Sequence, residues 1–309
     1  MNANRITENV AGLFPCGKRS EKSAEKVGTH VASDTDPNMR KGWLTFWTIA
    51  LWLVGGITIL IPVYLVVVNS FKSKTEAALM NFSLPTKWLF GNYAEMIADG
   101  GILTGLKNSV IITVTCVAVI VLFSSQLAFV LQRRKSRLSS ALSKIMLLGI
   151  IIPVQIIPSV LFSKMLHLTP YVSAIFVLIV ANFSIAVFLY TGFLKSIPAE
   201  LDESAILDGA SPLILFFWII FPLLRPVTMT VIIISFLAIW NDFGNTIYFL
   251  NSSANYTITL TIYNFFGDNN SSWQLVFANV VFASLPVVIV FLTLQRNIIA
   301  GMTAGSVKG

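Results

Sequence analysis

Six long apolar runs alternate with polar segments along the chain, near residues 44–68, 107–131, 142–163, 172–194, 214–239 and 275–295. Each has about 20 residues or more, the length an α-helix needs to cross a hydrocarbon core about 30 Å thick. Helix is the required form, because lipid offers no partner to unpaired backbone groups and the runs are too long for barrel strands. The pattern predicts an all-α polytopic membrane protein with six transmembrane helices. Pro153 and Pro158 are expected to kink the third run. Residues 1–41, ahead of the first run, are polar, mixed in charge and without apolar period, and read as a flexible tail. No cleavable signal peptide is expected, since the first apolar run starts near Leu44 and is long enough to span.

Composition agrees with the pattern. Hydrophobic residues make up 55% of the 309 and charged residues only 11%, against about 25% charged in soluble domains. The net charge of +7 is unevenly placed. With the N-terminus inside, 16 of the 21 Lys and Arg fall on the cytoplasmic side; Lys72, Lys74, Lys87, Lys107 and Lys164 fall outside. Positive-inside patterning therefore predicts both termini in the cytoplasm and makes nucleic-acid binding an unneeded explanation of the charge. Cys16 and Cys116 lie in segments of different depth, and His30 and His167 are far apart, so neither a disulfide nor a metal site is expected. The tail holds Gly12-x4-Gly17-Lys18, but Arg19 stands where a phosphate loop needs Ser or Thr and no strand precedes it. Outside, residues 69–106 carry Trp88, Phe90 and Tyr93, as an interfacial segment does. Residues 241–274 are rich in Asn, Ser and Thr, lack Lys and Arg, and read as a polar external loop facing a partner or serving as a passive cover.

No Asp or Glu lies clearly inside a run, and Asp242 stands at the outer end of the fifth. Intramembrane carboxylates are expensive and kept for work, so their absence argues against proton coupling and against an intramembrane hydrolase, and no catalytic residue is assigned. The runs hold uncharged polar groups instead, among them Gln126, Gln155, Asn182, Asn241 and Asn279. These serve either as interhelical hydrogen-bonding groups or as the lining of a wet path for a hydroxylated solute, with Gln126, Gln155, Asn182 and Asn279 as the candidates. Gly55-Gly56 and Gly101-x3-Gly105 are weak signals of close packing.

The connection between the fourth and fifth runs, about 196–215, is unusual. Pro198 opens it, and Glu200, Asp202 and Glu203 follow in the first turns, where a helix N-terminus favours negative charge. Asp208-Gly209 is a helix stop, and Ser211-Pro212 caps and begins the next helix. The result is a short acidic helix on the side where basic residues are expected. It is either a solvated connector or a rigid knob that docks into another protein.

These residues also carry a resemblance. Glu203-Ser204-Ala205-x2-Asp208-Gly209-Ala210-x11-Pro222 closely resembles the EAA loop of ABC importer permeases. Leu285-Pro286, Gln295-Arg296 and Gly301 to Gly309 are similar to the C-terminus of the maltose-type (MalG-like) carbohydrate permeases, as are Asn69-Ser70-Phe71-Lys72 and Asn92-Tyr93. The resemblance covers about 42–309. It implies the type I importer permease fold for 42–309, preceded by the 1–41 tail, in a bacterial cytoplasmic membrane. It further implies a heterodimer with a second permease subunit, two ATPase subunits that hold ATP and magnesium, and an extracytoplasmic sugar-binding protein. Glu203, Ser204, Ala205, Asp208, Gly209, Ala210 and Ser211 would couple to the ATPase, with Glu203 as the charged contact. Thr303, Ala304, Gly305 and Lys308 would touch the ATPase interface. Two departures stand out: Ser204 replaces a second Ala, and Phe221 replaces Leu before Pro222. The main rival, a secondary transporter or channel, gives no reason for the acidic knob.

Overall fold

The computed structural model describes residues 37–266 and 271–306; among these, secondary structure is helical throughout. Residues 1–36 of the expected tail and Lys308 lie outside the described residues. The chain divides into two units, 1–61 and 62–309.

In the first unit the described part is the start of helix α1, Pro37–Ser70. Its apolar side chains from Trp43 to Ile61 are almost all exposed, which suits lipid or a protein partner. A Cβ added at Gly55 or Gly56 would meet nothing within 4 Å, so the close packing expected there is not made within the described chain.

The second unit contains the end of α1 and helices α2 (Lys74–Ala78), α3 (Gly91–Asp99), α4 (Ile102–Arg133), α5 (Arg137–Ile151), α6 (Ile156–Met165) and α7 (Pro170–Leu194). They are followed by α8 (Glu200–Leu207), α9 (Pro212–Leu223), α10 (Arg225–Trp240), α11 (Thr246–Phe249) and α12 (Trp273–Ser306). Four helices are long and apolar enough to cross a membrane, or up to six if each bent pair is one span. The core lies where α4, α7 and α10 meet, through Ile112, Ile120, Leu178, Tyr190 and Val231. Tyr190 satisfies its buried hydroxyl by donating to Thr228 Oγ1 at 3.1 Å.

Two of the six runs are broken rather than continuous. The third does not merely kink: α5 and α6 turn by 120° across Ile152–Gln155. Pro153 forces Ile152 into extended backbone (φ −90°, ψ 113°) and ends α5. Pro158 bends nothing, because it falls in the first turn of α6, where its missing N–H has no helical partner to lose. The fifth run turns by 77° between α9 and α10. Pro226 cannot donate to Pro222, and its ring crowds that carbonyl. Pro222 has the same effect one turn earlier, where Leu215–Ile220 widen into a π turn and Phe221 N donates to Phe216 O.

Within the 241–274 segment the structure is more packed than the Asn, Ser and Thr content suggests. Residues 243–265 fold into the bundle, with Leu250, Ile258 and Leu260 fully buried. Their polar neighbours find tertiary partners. Ile258 N donates to Ser109 Oγ at 2.8 Å, and Asn108 Nδ2 donates to Ala254 O and Tyr256 O. Asn264 Nδ2 donates to Gly100 O, and Asn279 Nδ2 to Thr261 Oγ1. Gly105 makes the approach possible: a Cβ there would lie 2.6 Å from Thr261 Cγ2 and 3.3 Å from the Ile258 backbone. Gly105→Val is therefore expected to cost about 1–3 kcal/mol by overpacking, seen as a lower unfolding midpoint in detergent, whereas Gly55→Val has no such neighbour to displace.

At the same end of the unit, residues 69–92 form a compact hook. Lys72 is fully buried. Its ammonium donates to Asn69 Oδ1 (3.0 Å), Asn81 O (2.9 Å) and Asn81 Oδ1 (2.8 Å), which matches three acceptors to three protons. Burial pushes the Lys72 pKa down, and the nearby Glu76 charge pushes it back up. Glu76 accepts from Thr86 Oγ1 and closes a capping box with Ser73. The Thr86 hydroxyl, then the Ser73 N–H, hold the Glu76 carboxyl below the usual range. A depressed folded pKa gives stability that is present above the unfolded value and lost as pH falls through the folded one. Amide exchange in 73–78, corrected for intrinsic rates, should accelerate as pH drops below 4.5, and Glu76→Gln should remove that step.

Candidate functional site

The 196–215 connection folds as its residues dictate. Helix α8 begins after Pro198 and carries Glu200, Asp202 and Glu203 in its first turn, complementing the positive end of the helix dipole. It ends in a paired closure: Ala210 N donates to Ala205 O and Gly209 N to Ile206 O, both at 3.0 Å, the two bonds of a Schellman motif. That motif needs a left-handed residue, and Gly209 supplies it at φ +82°. Ser211 then accepts from Ile214 N at 3.4 Å and caps α9, with Pro212 in its first turn.

The knob has two faces. Ala205 and Asp202 point inward and are buried, with Ile197 beside them. Outward stand Leu207 at 88% exposure and Leu213 at 70%, with Ile206 also exposed. Glu200, Glu203, Ser204 and Asp208 lie on the same exposed side. On this side apolar tips stand among carboxylates. Ser204 keeps the small volume of the Ala it replaces and turns its hydroxyl to Leu201 O at 3.0 Å. Phe221 is absorbed by an aromatic cluster with Phe216 and Phe217.

The connection is also tied to α4, by a residue that charge counting left among the inside bases. Arg133, the last residue of α4, forms an ion pair with Asp202, Nε to Oδ2 at 2.6 Å, in which the Nε–H is not aligned for a hydrogen bond. Its Nη2 donates to Ile197 O (3.1 Å), Pro198 O (3.4 Å) and Asp202 Oδ1 (3.4 Å). Glu203, the residue assigned the charged contact, is exposed and free to face outward. The signal that distinguishes them is helical phase, since Asp202 lies three residues from inward-facing Ala205.

The four path candidates do not converge. Gln155 lines a cavity of about 380 Å³ with Val154, Pro158 and Phe176. Asn279 lines a separate cavity of about 240 Å³ with Asn241, Thr259 and Ser284. Asn182 donates to Leu178 O in its own helix, and Gln126 is half-buried on α4. Thr303, Ala304 and Gly305 lie on the final turns of α12.

Residues 120–304 match the family model described as the binding-protein-dependent transport system inner membrane component. The chain belongs to this family. The match runs from mid-α4 into the last turn of α12 and includes the whole 196–215 connection. Among relatives of this permease is the probable starch degradation products transport system permease protein AmyC of Thermoanaerobacterium thermosulfurigenes. It is 35% identical over 273 residues, covering 88% of this chain and 98% of the relative. The melibiose/raffinose/stachyose import permease protein MelC of Bacillus subtilis is 36% identical over 255 residues, covering 81% and 91%. A solved bacterial ABC transporter involved in import of the acidic polysaccharide alginate shares the fold, with a TM-score of 0.71 at 21% identity, covering 85% of this permease and 98% of that chain. The permease is thus a multi-pass membrane transport component and not an enzyme, ATP hydrolysis in such systems residing on separate subunits.

Proposed function

We propose that this permease is one half of the membrane pore of an ATP-driven importer for a sugar or oligosaccharide in a bacterial cytoplasmic membrane. The single observation that carries the coupling half of this reading is the α8 knob: a short helix with exposed Leu207 and Ile206, ringed by Glu200, Glu203 and Asp208 and closed by the left-handed Gly209. Such a face fits a cleft with an apolar floor and basic rim on an ATPase subunit. Glu203, Ser204, Ala205, Asp208, Gly209, Ala210 and Ser211 form or support that contact, and Thr303, Ala304, Gly305 and Lys308 extend it. ATP and magnesium are held by the ATPase. Each bent pair counts as one span, giving six spans with both termini in the cytoplasm. Residues 1–41 are the tail and 42–309 the permease domain. A second permease subunit completes the pore, a second ATPase subunit serves it, and an external binding protein delivers the sugar. The solute class rests on relatives named for starch products and for melibiose, raffinose and stachyose. Gln126, Gln155, Asn182 and Asn279 are the path residues of this reading, with the second subunit joining the separate cavities of Gln155 and Asn279.

Two measurements test this. A soluble ATPase should leave the membrane with the detergent-solubilised permease, and a Ser204→Cys chain that also carries Cys16→Ser should resist an impermeant thiol reagent in intact cells while reacting in inverted vesicles. Reaction from outside would place the knob on the wrong side and end the proposal. A panel of labelled sugars in uptake assays with the reconstituted system then identifies the solute.

A further inference from the structure

We infer that Arg133 is a positioning residue that makes the α8 knob move as one body with the second span, α4. The inference rests on the coupling role proposed above for the knob.

The knob is joined to the bundle through two short connections, 195–199 from α7 and 208–211 into α9. Two attachment points define an axis, and the non-directional packing of Ile197 and Ala205 into the core resists turning about it only weakly. A force applied at exposed Leu207 would then rotate the knob in place instead of moving the spans. A third attachment off that axis removes the rotation. Arg133 provides it, reaching from the end of a 32-residue helix to the Asp202 side chain and to the carbonyls of Ile197 and Pro198. One guanidinium fork thus grips both the knob helix and the strap leading into it. Arg is suited to this task because its planar fork holds several acceptors in a fixed geometry, which a Lys ammonium does not.

The surroundings make the tie firm. The side chains of Arg133 and Asp202 are only 18% and 11% exposed, so solvent and salt screen the pair less than a surface pair. Neighbouring Arg134, Lys135 and Arg137 are exposed. They share the charge of the region without the grip, and this makes them controls.

The test uses the complete transporter in proteoliposomes, reading sugar uptake per ATP hydrolysed and the amount of ATPase subunit that co-purifies. Arg133→Ala should retain the ATPase subunit, whose docking face is unchanged, while uptake per ATP falls by roughly tenfold, equivalent to about 1.4 kcal/mol of lost coupling. Arg133→Lys should be intermediate. Asp202→Ala, which leaves the carbonyl contacts of Arg133 in place, should lose less of the ratio than Arg133→Ala, and adding it to Arg133→Ala should cost little more, whereas two nonspecific folding defects would add. Arg134→Ala should leave the ratio unchanged. Normal uptake per ATP in Arg133→Ala, an equal loss in Arg134→Ala, or fully additive losses in the Arg133→Ala, Asp202→Ala double variant would overturn the inference. If the ATPase subunit fails to accompany even the unaltered permease, it is the coupling reading itself that falls.

Discussion

Replacing Gly209 by valine is expected to stop uptake while the permease remains in the membrane at normal abundance. Gly209 sits at φ +82°, where a β-branched residue is strained by about 1–2 kcal/mol or more. The strain acts on the two bonds that close α8, Gly209 N to Ile206 O and Ala210 N to Ala205 O. Losing them would unwind the end of the helix that bears Ile206 and Leu207. A Cβ at this position would meet no atom of the chain within 4 Å, so the effect is conformational inside this subunit. That separates two causes. Gly209→Asn accepts the left-handed conformation and should preserve the turn, leaving only crowding against the ATPase. If valine abolishes uptake and asparagine retains most of it, the turn is what matters; if both abolish it, the space around Gly209 is filled by the partner. Normal uptake by the valine variant, with immunoblotting to establish equal membrane levels, would remove Gly209 from the coupling site.

Lys72→Met should release the 69–92 hook. Methionine matches the length of the stem but offers no donor, so Asn69 Oδ1, Asn81 O and Asn81 Oδ1 lose a partner together. Asn81 Oδ1 still accepts from Ser83 N and Ser83 Oγ, and Asn81 O from Asn69 Nδ2, so Asn69 Oδ1 is the acceptor left unpaired, at a cost of about 1–3 kcal/mol. The loss is local, because Asn92 Nδ2 still binds Ser70 O and Lys72 O, and Leu89 N still binds Phe71 O. Limited proteolysis and amide exchange should accordingly show 73–88 opening while α4 and α7 stay protected. Protection unchanged in 73–88 would mean that the two asparagines suffice without the ammonium.

The parts of this fold legible in the sequence were those governed by local chemistry. Pro198, the first-turn acids, the Asp208-Gly209 stop and the Ser211-Pro212 start set α8 without tertiary help, and the structure has each where the residues place it. The apolar runs were legible as runs. Their bends were not, because hydropathy averages over a window in which a 77° or 120° turn leaves no trace beyond a proline, and Pro158 looks the same as Pro153. Residues 243–265 misled for a related reason. Asn and Thr read as solvent-facing until their partners are known, and here Asn264 finds Gly100 and Thr261 finds Asn279. The burial of Lys72 leaves no trace in the sequence either, because its acceptors Asn69 and Asn81 are recognisable only once the chain turns back on itself. The Arg133–Asp202 tie spans 69 residues, and no spacing rule reaches that far. The scattering of Gln155 and Asn279 into separate cavities has the same origin, since polarity along a helix does not say which direction its neighbours close.

The elbow between α5 and α6 restricts what can surround it. The last carbonyls of α5 and the first amides of α6 have no helical partners. Pro153 has no N–H to give, and its carbonyl is served by Gln155 Nε2 at 3.2 Å. Acyl chains offer nothing to such groups, and each one left bare there costs several kcal/mol. This stretch of the perimeter is therefore closed to hydrocarbon: it borders either water or another polypeptide, and a map of lipid contacts around the subunit should have a gap at Ile152–Gln155.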